Sequence, residues 1–269
     1  TFFFFLYQMI LDHPDFLSFN LVSLKMLASG AAPLSAALLR RILEAFPTTE
    51  FFQTYGMTEA SPVLTSLDSK YHVLEGPNSG KLGSVGRPVE HVDLVIADEE
   101  DRAVPPNTTG QILARGPNIM KGYWKLADAT QEALEGGWYH TGDAGYLDED
   151  GFLYLEGRVK DMIVSGGENV YPIEVENVLE SHPAIHQCAV IGIPHDTWGE
   201  AVHAVVTVKD GCETTEEELI VFCKKAIAGY KCPISVTFRL DPMPLSPINK
   251  ILKTELRKPF WEGRKNKLV

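Results

Sequence analysis

Gly157-Arg158-Val159-Lys160-Asp161-Met162-Ile163-Val164-Ser165-Gly166-Gly167-Glu168-Asn169-Val170-Tyr171-Pro172-Ile173-Glu174-Val175-Glu176 is the stretch on which the reading of the whole chain turns. A charged cluster comes first, then the apolar run Met162-Ile163-Val164, then a glycine pair, then a helix start. The apolar run can form a short buried strand. Gly166 and Gly167 permit positive φ or a close backbone approach. Pro172 suits the first turn of the helix that follows. Two readings fit these residues. One is a strand–turn–helix corner, which glycine pairs often make. The other is a charged joint between two domains, where a hinge can act on a ligand.

The flanking sequence favours a joint. Residues 1–78 alternate between helix and strand signals. Ser35 to Phe46 has a helical face of Leu38, Leu39, Ile42 and Leu43, ended by Pro47. Glu50 to Tyr55 reads as a strand, and Gly56 turns the chain. From about Gly80 to Gly157 the helical period disappears. Runs such as Val92–Ala97, Gln111–Ala114 and Phe152–Glu156 alternate with turn residues, as in a small antiparallel β-domain. After Lys160 the pattern changes again. Val175, Val178 and Leu179 form a helix face, closed at His182-Pro183. Ala189–Ile193 and Ala201–Val208 read as strands. Thr215 and Glu218 form a capping box, followed by a helix face of Leu219, Phe222, Cys223, Ala226 and Ile227 up to Gly229. Ser235–Leu240 is a last strand and Ile251–Lys258 a last helix. The expected class is therefore α/β and α+β. An α/β piece (1–78) and a β-rich subdomain (79–159) precede a C-terminal α+β domain (160–269).

The chain has 269 residues, 45% of them hydrophobic, which is ample for a core. Its net charge of −12 argues against a nucleic-acid surface. An anionic ligand would need a local site of glycine amides, Lys, Arg or metal. The 4 cysteines form no C-x-x-C pair and read as reduced thiols of an intracellular, cytoplasmic protein. No apolar run approaches the length of a membrane span; peripheral membrane contact and oligomeric state are left open. The first residue is Thr, within an apolar segment, so the chain reads as a piece of a longer protein.

Three stretches can carry chemistry, each with a plainer alternative. Tyr55-Gly56-Met57-Thr58-Glu59 follows a strand directly. A Thr hydroxyl beside a Glu carboxylate at such a turn can serve phosphate and Mg²⁺ together, or the Thr can simply cap a helix. His140-Thr141-Gly142-Asp143 offers a carboxylate for two ribose hydroxyls, or an Asx-turn. In Pro244–Lys253, Lys250 can reach phosphate or carboxylate oxygens from its loop, or sit solvated on the surface. Gly76–Leu82 imitates a phosphate loop. It has three residues between the glycines where the Walker pattern has four, and Leu82 replaces the Ser or Thr that would meet Mg²⁺.

Taken in order, Ser29–Leu34, Tyr55–Glu59, Gly116–Tyr123, Tyr139–Asp143, Gly157–Glu176 and Pro247–Lys253 resemble the adenylate-forming enzyme superfamily, nearest to the fatty-acyl-CoA synthetases. The resemblance covers essentially the whole chain. It implies the end of the large N-terminal domain followed by a mobile C-terminal domain. It implies ATP (released as AMP), Mg²⁺, coenzyme A and a carboxylic acid, here a fatty acid, as ligands, with no nucleic acid. By resemblance, Gly30, Ala31 and Ala32 form the wall between adenine and the acyl pocket, and Gln53, Thr54 and Tyr55 border the adenine. Thr58 touches phosphate and Glu59 holds Mg²⁺. Asp143, assisted by Arg158, binds the ribose. Lys160 with Asp161 is the hinge, Gly166 and Gly167 line the pantetheine channel, and Lys250 is the adenylation lysine. Asn249 departs from the usual Gly before that lysine, and Asn tolerates left-handed φ.

The family's Ser/Thr/Gly-rich phosphate loop has no counterpart here. The chain by itself is therefore expected to be inactive, and a nucleotide- or partner-binding fragment without chemistry is the alternative. A ligase that loads a carrier protein is a second alternative. The short, uninterrupted Asp143–Arg158 segment favours CoA as acceptor.

Overall fold

A computed structural model describes residues 4–30, 34, 36–246 and 250–262. The chain divides into two compact units, Thr1–Leu155 and Glu156–Val269.

In the first unit, α1 (Phe4–Leu11) and α2 (Ala36–Ala45) alternate with β1 (Met26–Ser29) and β2 (Glu50–Tyr55). The two strands pair in parallel, with Leu27 opposite Phe51 and Ser29 opposite Gln53. Alternate side chains therefore share one face, and the burial of β2 follows that period at Phe51, Gln53 and Tyr55. Leu38, Leu39 and Ile42 form the stripe of α2 that packs with Tyr7, Leu27 and Phe51. β3 (Thr65–Leu67) and β4 (Arg87–Pro88) complete a sheet in the order β1-β2-β3-β4.

A second sheet holds β5 (Asp93–Ala97), β6 (Gly110–Arg115), β7 (Tyr139–Leu147) and β8 (Leu153–Arg158) in that order. Its core joins Ile96, Ile112, Ala114 and Leu153 to Tyr55, Ala60 and Leu64 at the end of β2. This region also contains α3 (Ala127–Ala133), which the sequence reading did not foresee. Its sequence ADATQEA has no apolar stripe and none of its residues is buried, so no periodicity marks it. The imitation phosphate loop forms a tight turn at Ser79–Lys81. Lys81 Nζ is held by Asp148 at 2.6 Å and Asp150 at 2.7 Å, a structural tie within this unit.

The second unit is built on β9 (Ile163–Ser165), β10 (Glu168–Val170), β11 (Ile185–His195), β12 (Gly199–Val208) and β13 (Ser235–Phe238). The sheet order is β10-β9-β12-β11, with β13 parallel to β12. Val190, Val202, Ala204 and Val206 pack against α4 (Pro172–Glu180) and α5 (Glu216–Lys224). Ala189, Ile191 and Val205 face the other way, onto Leu256 of α6 (Lys253–Trp261). With helices on both sides, both faces of the hairpin β11–β12 are apolar.

Three expectations change in detail. A strand, β10, separates the glycine pair from the helix start at Pro172, and only Ile163 of the run Met162–Val164 is fully buried. Gly166 and Gly167 have φ of 63° and 91°, the two positive values of a turn that matches the twist of a two-stranded hairpin. α5 stops at Lys224, so Ala226 and Ile227 lie in the turn beyond it, although the Thr215–Glu218 capping box is present. α6 starts two residues later than expected and runs through Pro259 to Trp261. Phe260 packs on the core beyond the proline, which rewards continuing the helix past the missing N–H.

His203 of β12 is 3% exposed, and its ring nitrogens meet Ser235 Oγ at 2.7 Å and Thr237 Oγ1 at 3.0 Å. Burial brings its pKa down to about 4. The unfolded chain, with an ordinary imidazole, binds the proton first as pH falls. Stability is therefore full above about pH 6.5 and falls progressively towards pH 4, by on the order of 3 kcal/mol. Urea melts of the chain and of His203→Gln between pH 7.5 and 4.5 should diverge in slope, with the variant flatter on the acid limb. Parallel profiles would show that His203 takes no part.

Candidate active site

The end of β2 is shaped by what folds back over it. Leu64 N–H donates to the Tyr55 carbonyl at 2.8 Å, closing the loop that holds Gly56, Thr58 and Glu59. Thr58–Ala60 form a single tight turn. The Gly116–Tyr123 segment braces that turn. Met120 N–H donates to the Glu59 carbonyl at 2.7 Å, and Asn118 Nδ2 donates to the carbonyls of Ala60 at 2.8 Å and Val63 at 3.1 Å. Tyr123 OH donates to Glu59 Oε1 at 3.1 Å and itself meets the hydroxyl of Tyr139. Burial first, then the Glu59 carboxylate, push the Tyr123 phenol above its ordinary pKa, so it remains a donor.

Asp143 is presented by a bulge. Along β6 and β7 the pairing steps from Gln111–Ala144 to Leu113–His140, so Thr141, Gly142 and Asp143 all stand opposite Ile112. Gly142 takes a φ of 70° there. Thr141 Oγ1 donates to the Ile112 carbonyl at 2.8 Å and accepts from Asp143 N–H at 3.1 Å, which fixes the bulge from inside. Tyr55 OH then donates to Asp143 Oδ2 at 2.9 Å. Burial, followed by the charge of Asp143, raises the Tyr55 pKa strongly, so the phenol stays protonated. Two motifs 88 residues apart thus meet in one hydrogen bond.

Within the first unit the structure gathers Tyr55, Glu59 and Asp143, with Thr58 exposed beside them. Each carboxylate has one oxygen fixed by a phenol. The other oxygen of Glu59 has no hydrogen-bond partner among the described residues, which suits a single protein ligand to a hard cation completed by phosphate and water. No cluster of three potential metal ligands occurs among the described residues. Gly30 and Gln53 are buried at the ends of β1 and β2, and Thr54 Oγ1 donates to the Ser29 carbonyl at 3.4 Å. Ala31, Ala32 and Asn249 lie outside the described residues. Sequence reasoning gave no role to Asn118, Tyr123 or Tyr139. Their signal was there: a carboxamide and two phenols inside motifs already singled out for their order.

In the second unit, Arg158 ends β8 and is exposed, and Lys160 and Asp161 lie in the one-turn helix Val159–Asp161. Gly166 and Gly167 form the β9–β10 turn. Gly166 N–H donates to the Trp198 carbonyl at 3.0 Å, and the Trp198 ring stacks on His195 at 4.4 Å. Lys250 is exposed on a loop closed by backbone. Leu245 bridges Ile251, Ser246 N–H donates to the Lys250 carbonyl at 2.8 Å, and Lys250 N–H donates to Ser246 Oγ at 3.1 Å.

The sequence profile of the AMP-binding enzymes matches residues 5–124, and that of the AMP-binding enzyme C-terminal domain matches residues 174–250. The chain belongs to the AMP-binding enzyme family. It is 45% identical over 255 residues to a feruloyl-CoA synthase of Amycolatopsis sp, covering 95% of this chain and 50% of the relative. It is 39% identical over 254 residues to a fatty acid–acyl-carrier-protein ligase of Streptomyces coeruleorubidus, covering 94% of this chain and 48% of that one. The chain spans about half the length of the curated relatives it matches. The structure of the o-succinylbenzoate CoA synthetase of Bacillus subtilis, in complex with an acyl-adenylate intermediate, superposes with a TM-score of 0.84 at 33% identity. That match covers 99% of this chain and 51% of the other. The mixed α/β architecture is thus that of the adenylate-forming enzymes. No helix among the described residues is long and apolar enough to cross a membrane.

Proposed function

We propose that the protein carrying this chain is an ATP-dependent acid–thiol ligase that makes an acyl-CoA through an acyl-adenylate. The observation that carries this reading is the Tyr55–Asp143 hydrogen bond, which holds a carboxylate at the end of the strand that leads into Thr58 and Glu59. A carboxylate fixed in this way can accept both hydroxyls of a ribose while Thr58 meets phosphate. Glu59 would hold Mg²⁺, which supplies charge neutralisation on the phosphate oxygens.

In the first half-reaction a carboxylate oxygen of the acid attacks the α-phosphorus of ATP, and the bond to the β-phosphate breaks, releasing pyrophosphate. Lys250 binds the acid's carboxylate and the α-phosphate and offsets the gathering charge. Residues 160–269 then turn about Lys160 and Asp161, removing Lys250 and presenting Gly166 and Gly167 to the pantetheine arm. The CoA sulfur attacks the acyl carbon as its proton passes to solvent, the bond from that carbon to the oxygen bridging it to phosphorus breaks, and AMP leaves carrying that bridging oxygen. One cleft cannot hold both sets of groups at once, so a hinge exchanges them.

The acid is proposed to be a fatty acid, and the setting cytoplasmic. An aryl propenoic acid is the second reading, favoured by the 45% identity to a feruloyl-CoA synthase. The test is acid-dependent ATP–pyrophosphate exchange by the whole protein over a panel of both acid types, followed by thioester formation on adding CoA. Exchange with no acid in the panel would defeat the reading, and thioester formation only on a carrier protein would replace CoA as acceptor.

Asp143→Ala should weaken ATP binding by about 1–3 kcal/mol, the scale for leaving polar partners unpaired. The substitution also strips Tyr55 of its acceptor, so weaker binding alone does not separate ribose recognition from local disorder. Titration with 2′,3′-dideoxy-ATP does, because that analogue has no ribose hydroxyls to lose. Its affinity should change much less, and equal losses for both nucleotides would reduce Asp143 to a turn residue.

A further inference from the structure

Helix α6 begins three residues after Lys250, and three side chains on one of its stripes are tied to different parts of the second unit. Lys253 Nζ meets Glu176 Oε1 of α4 at 2.7 Å, and the same oxygen accepts Val190 N–H of β11 at 2.7 Å. One turn on, Arg257 Nη2 donates to the Asp161 carbonyl at 3.3 Å, with Nη1 4.0 Å from Asp161 Oδ1. A further turn on, Trp261 Nε1 donates to the Gly192 carbonyl of β11 at 3.1 Å. The spacing i, i+4, i+8 places all three on one side of the helix, beside the apolar stripe of Leu256 and Phe260 that packs into the core. The Arg257 side chain is only 12% exposed, so its bond to the hinge turn is shielded from competing water.

We infer that α6 joins the hinge turn to the Lys250 loop as one rigid body, with Arg257 as the positioning residue that joins them. This rests on the roles given above to Lys250 and to the Lys160–Asp161 turn. The loop is fastened to the start of α6 by its own backbone, Leu252 N–H donating to the Pro244 carbonyl at 2.8 Å. The turn is fastened to the middle of α6 by Arg257. Asp161 therefore travels with Lys250, which narrows the pivot proposed above at Lys160 and Asp161 to the torsions ahead of Asp161, at Lys160 and the residues before it. A swing at the hinge is then delivered to the Lys250 backbone through the seven residues 251–257 of loop and helix.

The test uses Arg257→Met, which keeps the apolar stem and removes the donors, and Arg257→Lys, which keeps the charge. In the 269-residue chain, amide exchange of Met162, whose N–H closes the turn onto the Val159 carbonyl, should rise roughly ten- to hundredfold in Arg257→Met. The rise should be smaller in Arg257→Lys, and Val190 and Val205 should be unaffected. Unchanged exchange at Met162 overturns the inference. In the whole enzyme, Arg257→Met should lower acid-dependent ATP–pyrophosphate exchange roughly ten- to hundredfold, and Arg257→Lys should recover part of it. Thioester formation from supplied acyl-adenylate and CoA should stay within about threefold. Equal loss in both half-reactions would mean that Arg257 only stabilises the unit, and would also overturn the inference. A parent enzyme with neither half-reaction would instead defeat the proposed function, and the amide exchange would still decide whether the clamp exists.

Discussion

Replacing Lys250 by alanine is expected to remove acyl-adenylate formation, by roughly 10²–10³-fold or more, and to leave the conversion of supplied acyl-adenylate plus CoA largely intact. The selectivity follows from how the loop is built. Among the described residues, the bonds that shape it are made by backbone or by Ser246: the Leu245–Ile251 bridge, the Leu252 N–H to the Pro244 carbonyl, the Ser246 N–H to the Lys250 carbonyl, and the Lys250 N–H to Ser246 Oγ. Alanine keeps all of them. The Lys250 ammonium is exposed and has no ion pair among the described residues, so its removal breaks none of the ion pairs described in the second unit. On the proposed mechanism, what disappears is a positive charge that only the step gathering negative charge at the α-phosphate needs. The two half-reactions of the whole enzyme should be assayed separately, by pyrophosphate exchange and by thioester release. Equal loss in both, or retention of both, would remove Lys250 from its assigned role.

Much of the fold was legible because both layers obey simple periods. The stripe Leu38, Leu39, Ile42 in α2 and the box Thr215–Glu218 at the start of α5 could be read directly, since each is a local pattern with one physical meaning. The hairpin β9–β10 was harder. A three-residue strand has no measurable period, and Glu168 and Asn169 are exposed, so nothing apolar announces it before Val170. α3 was invisible for the same reason.

At the candidate site, the residue types of Glu59 and Asp143 could be picked out from their turns. Their partners could not, because hydrogen bonds such as Tyr55–Asp143 span 88 residues and Tyr123–Glu59 span 64. The bulge that aims Asp143 is also a property of two strands together: Thr141-Gly142-Asp143 alone reads equally well as a turn. Arg257 illustrates the same limit, since its partner Asp161 lies 96 residues away.

Gly56→Ala should be among the most damaging single-methyl changes in the first unit. The sequence suggests that Gly56 is there for conformational freedom at a turn. The structure gives a different reason, which is space. A Cβ on Gly56 would lie 2.1 Å from the Pro62 carbonyl oxygen and 2.9 Å from the Leu64 nitrogen. Both are backbone atoms and neither can rotate aside. Relief requires moving residues 62–64, which would break the 2.8 Å bond from Leu64 N–H to the Tyr55 carbonyl and shift Leu64 and Ala60, both fully buried. Overpacking of this kind costs about 1–3 kcal/mol and sometimes more. Because Tyr55 and Glu59 flank the collision, the hydrogen bonds that hold Asp143 and the Glu59 carboxylate should loosen together, and nucleotide binding should weaken along with stability. Gly80→Ala is the matched control, since a Cβ there meets nothing within 4 Å. Urea melts of the two variants should show a clear fall in the first-unit midpoint for Gly56→Ala and almost none for Gly80→Ala. Identical midpoints would mean that the loop over β2 yields easily, and the close packing that positions Thr58 and Glu59 would then have to be reconsidered.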